Sequence, residues 1–306
     1  MARQELVPMI VIAGPTASGK SSAAIALAEV LGGEVICADS MQVYRDLAIL
    51  TARPSAEDHA AVPHHLYGHV EGSARYSAGR FARDAQAVIK AIRARGNVPI
   101  LCGGTGLYLK AITEGLSPIP DIARAVTEAL NAAWLASPEG VRSRLLSVDP
   151  EMERLAPADQ QRHIRALAVF DETGRPLSSW QKEPRVRLAE GPVLPLLLCP
   201  QREILYQRGE ERFDRMLAEG ALDEVRALRA RGLARDLPVM KALGVPELLA
   251  HLSGLMSHEE AVAAAKQETR RFAKRQLTWF RNQTDWQAFE EEDAIIAHAR
   301  AATTAM

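Results

Sequence analysis

Gly14-Pro15-Thr16-Ala17-Ser18-Gly19-Lys20-Ser21 has the spacing G-x-x-x-x-G-K-S, and the reading of these eight residues decides the fold. The apolar run Met9-Ile10-Val11-Ile12-Ala13 leads into it as a buried strand. Ser22 to Leu31 follows as a helix, with Ala24, Leu27, Ala28 and Leu31 on one face. A strand, a glycine-rich loop and a helix in this order make a phosphate-binding P-loop. Its glycines let the backbone approach a ligand, and consecutive N–H groups at the helix N-terminus point at phosphate oxygens. Lys20 adds a full positive charge, and the Ser21 hydroxyl is placed to ligate Mg²⁺. A plain glycine-rich turn is the alternative, and the complete pattern in its strand-to-helix context outweighs it. Gly14 to Ser21 are therefore expected to hold a phosphate chain, and the loop alone does not say of which compound.

Outward from the loop, Glu34 to Ala38 reads as a second strand and Val98 to Cys102 as a third. Between them a helix runs from about Ser77 to Arg95, with Phe81, Ala85, Val88, Ile89 and Ile92 on one face. This β-α-β order predicts an α/β fold, a P-loop NTPase-like parallel sheet with helices on both faces. Ligands on such sheets sit at the C-terminal strand ends, so the loops after Ala13, Ala38 and Cys102 are expected to line the site. Near Gly115-Leu116-Ser117-Pro118 the character changes. Helical patterns at about 122–136, 139–147 and 159–172 follow with no strand between them. The strand-like run Val193 to Cys199 then returns, with proline arguing for a sheet edge or a bulge. The expected organisation is a first core part at 1–116, an inserted all-helical domain at 117–190, a second core part with C-terminal helices at 191–285, and an acidic, Ala-rich tail at 286–306.

The whole chain narrows the function classes. It has 306 residues, 47% of them hydrophobic, enough for a sizeable core. A net charge of −1 gives no global attraction to a polyanion, so any nucleic-acid contact must come from local patches. Cys37, Cys102 and Cys199 are far apart and form no CxxC pair, which fits buried thiols in a reducing cytoplasm better than zinc or disulfides. No signal pattern and no apolar run near ~20 residues is present, so neither export nor a membrane span is expected.

Several constellations could carry chemistry. Asp39-Ser40-Met41-Gln42 follows the second strand, where a carboxylate beside a P-loop can serve as a base or a Mg²⁺ ligand; an Asx-turn is the competing reading. Gly103-Gly104-Thr105-Gly106 follows the third strand, where a P-loop NTPase usually carries an acid. Its absence weakens a reading as an ATP-hydrolysing motor or GTPase, and Thr105 becomes a candidate polar contact. Gln161-Arg162-His163-Ile164-Arg165 lies on a helix, with Arg162 and Arg165 on one face. Arg202, Arg208, Arg212 and Arg215 fall along another, from which one arginine could reach the P-loop and hold a diphosphate. Lys266 to Arg281 is the most basic segment, with Arg271 and Arg275 in a stripe and Trp279 and Phe280 placed for stacking. For each basic stretch a solvated surface face competes with a polyanion contact. His59, His64, His65 and His69 resemble a metal cluster but lack acidic or cysteine partners at ligand spacing, which favours a structural loop.

Together these stretches resemble one family, the tRNA dimethylallyltransferases (tRNA isopentenyltransferases), in its bacterial form. The resemblance rests on Gly14 to Ser21, Asp39 to Tyr44, Gly103-Gly104-Thr105-Gly106-Leu107-Tyr108, Gly115 to Pro118, Gln161 to Leu167 and Lys274-Arg275-Gln276-Leu277-Thr278-Trp279-Phe280, in the family's order from about residue 8 to 282. It implies transfer of a dimethylallyl group from dimethylallyl diphosphate to N6 of the adenosine at position 37, next to the anticodon, in tRNAs reading codons that begin with U. The P-loop would then hold the donor diphosphate with Mg²⁺ at Ser21, which accounts for the missing acid. By the resemblance, Asp39 is the base, Lys20, Arg212 and Thr105 complete the catalytic set, and the anticodon stem-loop meets Asp39, Ser40, Met41, Gln42, Thr105, Arg124, Gln161, Arg162, His163, Ile164, Arg165 and Lys241. Arg271 and Arg275 join that list from their charge. A cytoplasmic monomer is expected. A P-loop kinase of a nucleotide or small metabolite is the main alternative, and a non-catalytic RNA-binding module the weaker one.

Overall fold

The structure, a computed structural model, describes residues 6–305. The chain divides into two compact units, Met1–Thr113 with Leu188–Met306, and Glu114–Arg187. The first unit begins with β1 (Met9–Ala13), α1 (Lys20–Leu31), β2 (Gly33–Cys37), α2 (Ala56–Ala61), β3 (His64–His65), α3 (Ala78–Ala94), β4 (Val98–Gly103) and α4 (Gly106–Thr113). The second contributes α5 (Arg124–Ala136), α6 (Pro138–Val148), α7 (Gln160–Thr173) and α8 (Leu177–Gln181). The first then resumes with β5 (Val193–Leu198), α9 (Arg202–Ala218), α10 (Ala221–Ala230), α11 (Val245–Leu252), α12 (His258–Gln283), β6 (Gln287–Phe289) and α13 (Glu292–Ala305).

The six strands form one parallel sheet in the order β3-β2-β4-β1-β5-β6. Every residue of β1, β2 and β4 is buried, as a parallel sheet covered by helices requires. Register places the site: Ala13 lies opposite Gly103, and Cys37 opposite Cys102. The loops leaving β1, β2 and β4 therefore start side by side at one edge of the sheet. On the sheet, α1 buries Ala23, Ala24, Leu27 and Ala28. Truncating Leu27 there would cost about 2–5 kcal/mol.

Two details differ from the sequence reading. The strand β5 is not a sheet edge, because β1 flanks it on one side and β6 on the other. Its proline is tolerated because pairing with β6 starts only at Leu196, one residue after Pro195. Pro99 is placed the same way in β4, where pairing with β1 starts at Ile100. Residues 286–306, read as a tail, supply β6 and α13 instead. Ile295 and Ala299, one helical turn apart, are fully buried in the cluster that holds α1. A composition dominated by alanine and acid hid that short apolar stripe, and the acids Glu292 and Asp293 sit in the first turn, where a helix dipole favours them.

The second unit has its own core of Leu130, Trp134, Leu145, Met152, Ile164 and Leu167. Two of its four helices, α6 and α7, start on side-chain caps: Ser137 accepts from Gly140 N and Asp159 from Arg162 N. An antiparallel bridge between Leu116 and Val186 brings the two ends of the unit together.

Candidate active site

The P-loop is built where β1 opens into α1. A Cβ on Gly14 would lie 2.5 Å from the Leu198 carbonyl oxygen and 2.6 Å from Ser18 Oγ, so only glycine fits. Ala17 and Gly19 take positive φ angles of 64° and 93°, which curl the backbone into a concave nest at the helix start. A non-glycine residue held there stores strain, as ligand clamps do. Ser18 is buried, and its Oγ has no hydrogen-bond partner among the described residues. Lys20 Nζ folds back to donate to the Pro15 carbonyl at 3.2 Å. Burial lowers the Lys20 pKa, opposed by the nearby Cys102 and Asp39 and assisted by Arg212.

Arg212 arrives from α9, anchored by the buried Leu205, Phe213 and Met216, and donates to Thr16 Oγ1. Desolvation lowers its pKa too, while Asp39 pulls it back up. Two cations thus face the same loop, both removed from water. That arrangement costs free energy until an anion joins it.

The opposite wall is the turn after β2. Asp39 Oδ1 accepts from Met41 N at 2.8 Å and from Gln42 N at 3.4 Å. The Asx-turn reading of Asp39 is therefore correct as far as it goes. It uses one oxygen, and Oδ2 takes no hydrogen bond among the described residues. Thr105, on the turn after β4, clamps that wall: Ser40 N donates to Thr105 Oγ1 at 2.8 Å, Thr105 Oγ1 donates to Ser40 Oγ at 3.2 Å, and Thr105 N donates to Ala38 O at 3.3 Å. Gln276 of α12 ties the P-loop to the turn after β4, accepting from Thr16 N at 2.8 Å and donating to Gly104 O at 2.9 Å. The sequence carried a signal for Gln276: it is a polar residue on the face of α12 that buries Ala273 and Phe280. The arrangement can hold a polyanion against Lys20 and Arg212, with a carboxylate beside it free to take a proton.

Other expected contacts separate into surface and core. Ser40 and Met41 are half-buried beside Asp39, and Gln42 commits its amide to Thr51 O and Ala52 O, both at 2.9 Å. In the second unit Arg124 is exposed and pairs with Glu128 at 2.6 Å. Gln161, Arg162 and Arg165 line a shallow cavity of about 390 Å³ with Asp159. His163 and Ile164, expected to meet RNA, instead face the core. His163 accepts no solvent exposure, bonds Asp159 O at 2.7 Å through Nδ1, and lies 5.3 Å from the Trp134 ring. Their positions on α7 turn them inward between Gln161 and Arg165, which stay exposed.

On the first unit Lys241 is exposed at the end of a short 3-10 turn. Arg271 pairs with Glu268 at 2.5 Å, and Arg275 lies 5.7 Å over the Phe272 ring. Phe280, expected as a stacking residue, is buried, and Trp279 packs on Gly106, where a Cβ would come within 2.4 Å of its ring. Phe280 therefore closes the core, while the half-buried Trp279 covers the start of α4. His64, His65 and His69 bond Val62 O, Glu34 Oε2 and Leu66 O respectively. No group of three or more His, Cys, Asp or Glu able to hold a metal occurs among the described residues. No helix among them is long and apolar enough to cross a membrane.

Comparison with known proteins places this geometry in a family. The family model described as IPP transferase matches residues 42–283, and one described as isopentenyl transferase matches residues 7–65. The chain is 51% identical over 295 residues to a tRNA dimethylallyltransferase of Methylobacterium nodulans, covering 93% of this chain and 96% of that one. Among solved structures it is similar to the full-length tRNA isopentenylpyrophosphate transferase of Bacillus halodurans, with 34% identity, a TM-score of 0.69, and 98% and 96% of the two chains covered. A eukaryotic dimethylallyltransferase captured acting on tRNA matches with a TM-score of 0.77 at 32% identity, over 89% of this chain and 69% of that one.

Proposed function

The chain belongs to the IPP transferase family, whose relatives are tRNA dimethylallyltransferases, and from that premise we propose that it transfers a dimethylallyl group from dimethylallyl diphosphate to N6 of the adenosine 3′-adjacent to the anticodon, at position 37. The observation that carries this reading is Asp39: a carboxylate with one oxygen unengaged stands beside a phosphate cradle whose neighbouring β4 turn has no acid.

The chemistry then follows from the side chains. The allylic carbon–oxygen bond of the donor breaks as N6 forms a bond to that carbon, and the electron pair leaves with the diphosphate. Lys20, Arg212 and the loop N–H groups stabilise the departing charge, and their removal from water strengthens each interaction. Asp39 Oδ2 takes the N6 proton, while Oδ1 and the Thr105 clamp fix the angle of the carboxylate. Mg²⁺, when bound, supplies further neutralisation of the diphosphate. The donor set fits such an ion: Ser21 brings a hard hydroxyl oxygen to the first turn of α1, where it now bonds the Cys102 thiol, and Mg²⁺ takes most of its ligands from phosphates and water.

A stacked adenine cannot reach Asp39, so the target nucleotide is flipped out of the anticodon loop. Ser40, Met41, Gln42, Thr105 and Lys241 on the first unit, with Arg124, Gln161, Arg162 and Arg165 on the helical insertion, are the proposed RNA contacts. Arg271 and Arg275 add phosphate contacts from α12. A tRNA substrate also puts the work of this enzyme in the cytoplasm. Incubation with Mg²⁺, unmodified tRNA and either labelled dimethylallyl diphosphate or labelled ATP tests the reading. Label is expected in tRNA only from the prenyl donor; phosphoryl transfer from ATP without prenylation would return the P-loop to kinase chemistry.

A further inference from the structure

A cavity of about 340 Å³ opens beside Arg212 on the first unit, lined by Arg53, Ser55, Arg212, Arg215, Met216 and Glu219. Arg212 faces both this cavity and Thr16 of the P-loop. Three guanidinium groups thus meet in one recess, with a single carboxylate among its walls. Arg53 is the unusual one. Its Nε is buried without a hydrogen-bond partner, and among the described residues it makes no ion pair. The acid electrostatically closest to it, Glu224, spends both oxygens on the backbone N–H groups of Ala48, Ile49 and Leu50.

The loop that carries Arg53 is braced beyond what an ordinary surface turn needs. Besides the Glu224 bonds, Gln42 Nε2 donates to Thr51 O and Ala52 O, and Arg53 N donates to Ala48 O at 3.0 Å. The Nη1 end of the Arg53 guanidinium approaches Gly68, where a Cβ would come within 1.7 Å of it. A backbone held this way presents the arginine from a fixed position, so little loop entropy is lost on meeting a ligand. Arginine is also the side chain suited to bidentate phosphate recognition, and a buried N–H without an acceptor is completed by an oxyanion.

We propose that Arg53, supported by Arg215, forms a second phosphate-binding face that continues the P-loop cradle beyond Arg212 and takes a phosphate oxygen from a substrate. This rests on the prenyl-transfer reading for its two candidate sources, the diphosphate of the donor and a backbone phosphate of the RNA. Neither Arg53 nor Arg215 belongs to the P-loop pattern, and Arg53 lies in a stretch that composition marks only as a loop.

The test uses the full chain and two probes. Inorganic diphosphate with Mg²⁺ is titrated by calorimetry, and an anticodon stem-loop RNA is titrated across a salt series, for wild type, Arg53→Gln, Arg53→Lys and Arg215→Ala, each with its melting temperature. Arg53→Gln is expected to raise one of the two Kd values about tenfold or more, the size of a lost charge-assisted hydrogen bond. Arg53→Lys should recover part of it, and Arg215→Ala should weaken the same probe by a smaller factor. Loss confined to diphosphate assigns the face to the donor. Loss confined to RNA, with the salt slope reduced by about one, assigns it to a backbone phosphate. Both Kd values staying within about twofold of wild type, at unchanged melting temperature, would overturn the proposal; if Arg53→Gln does not fold, Arg215→Ala decides alone. Wild-type protein that binds diphosphate yet prenylates no RNA would sink the prenyl-transfer reading and leave the phosphate face standing.

Discussion

Cations are used in opposite ways in two regions of this molecule. Around the P-loop, Lys20 and Arg212 are desolvated and turned toward a carbonyl and a hydroxyl, and the half-buried Arg53 has an Nε with no partner among the described residues. Along α12, the half-buried Lys266 and Arg270 and the exposed Arg271 pair with Asp214, Glu210 and Glu268. Solvent-exposed pairs, such as that of Arg271, contribute about 0–1 kcal/mol each and are readily exchanged for water. Glu34 shows a third case. It is buried at the start of β2 but fully partnered, accepting from Arg95, Asn97 and His65. Burial alone therefore does not mark a site. Burial with an incomplete set of partners does, because the missing partner is what a ligand supplies.

The comparison can be broken most sharply at Asp39. Asp39→Ala is expected to lower kcat by about 10²–10⁴ while tRNA affinity stays near wild type. Collapse of tRNA binding with intact single-turnover chemistry would move Asp39 from proton acceptor to RNA contact. Arg212→Ala comes next, with a loss of about 10²–10³ in kcat/KM from the missing contact to the departing diphosphate. A rise in KM alone would mean that Arg212 binds the donor equally in ground and transition states. Thr105→Ala removes the clamp on Ser40 and should cost about fivefold to tenfold in kcat, the effect of roughly 1 kcal/mol; a loss as large as that of Asp39→Ala would give Thr105 a direct role at the reacting atoms.

On the surface side, changing Arg271 and Arg275 together to Ala should weaken tRNA binding a few-fold and reduce its salt slope by about one to two. An unchanged slope would make α12 a solvated face. The smallest effect concerns stability rather than activity. Arg95 and its neighbours hold the Glu34 carboxyl well below its ordinary value of 4.5, at about 2. A depressed carboxylate pKa stabilises the fold fully above pH 4.5 and loses that contribution as pH falls toward 2. Glu34→Gln should therefore melt below wild type at pH 7, with the gap closing as pH falls through that window. A gap that is constant with pH would assign Glu34 a packing role instead.

Much of this was legible in the residues. The P-loop, the buried strands and the turns after them follow from apolar runs and glycine spacing, which are local signals. Asp39 is legible because it stands directly after a strand. What stayed hidden depends on which way a side chain faces. His163, Ile164 and Phe280 sit inside basic, RNA-like stretches, yet helix geometry turns them into the core. Arg53 gave no signal at all, since its distinction comes from Gly68, Gln42 and Glu224, which are far from it in sequence or role. The C-terminal strand and helix were masked by alanine, whose small side chain packs well but barely registers in composition.

The phosphate cradle is proposed to serve carbon transfer to an adenine. Nucleoside mass spectrometry of an anticodon stem-loop RNA, after incubation with the wild-type chain, Mg²⁺ and dimethylallyl diphosphate, tests it most directly. One isopentenyl group on N6 of the adenosine 3′ to the anticodon is expected, and its loss with Asp39→Ala. Unmodified adenosine with the wild-type chain, or a modification elsewhere on the RNA, would contradict it.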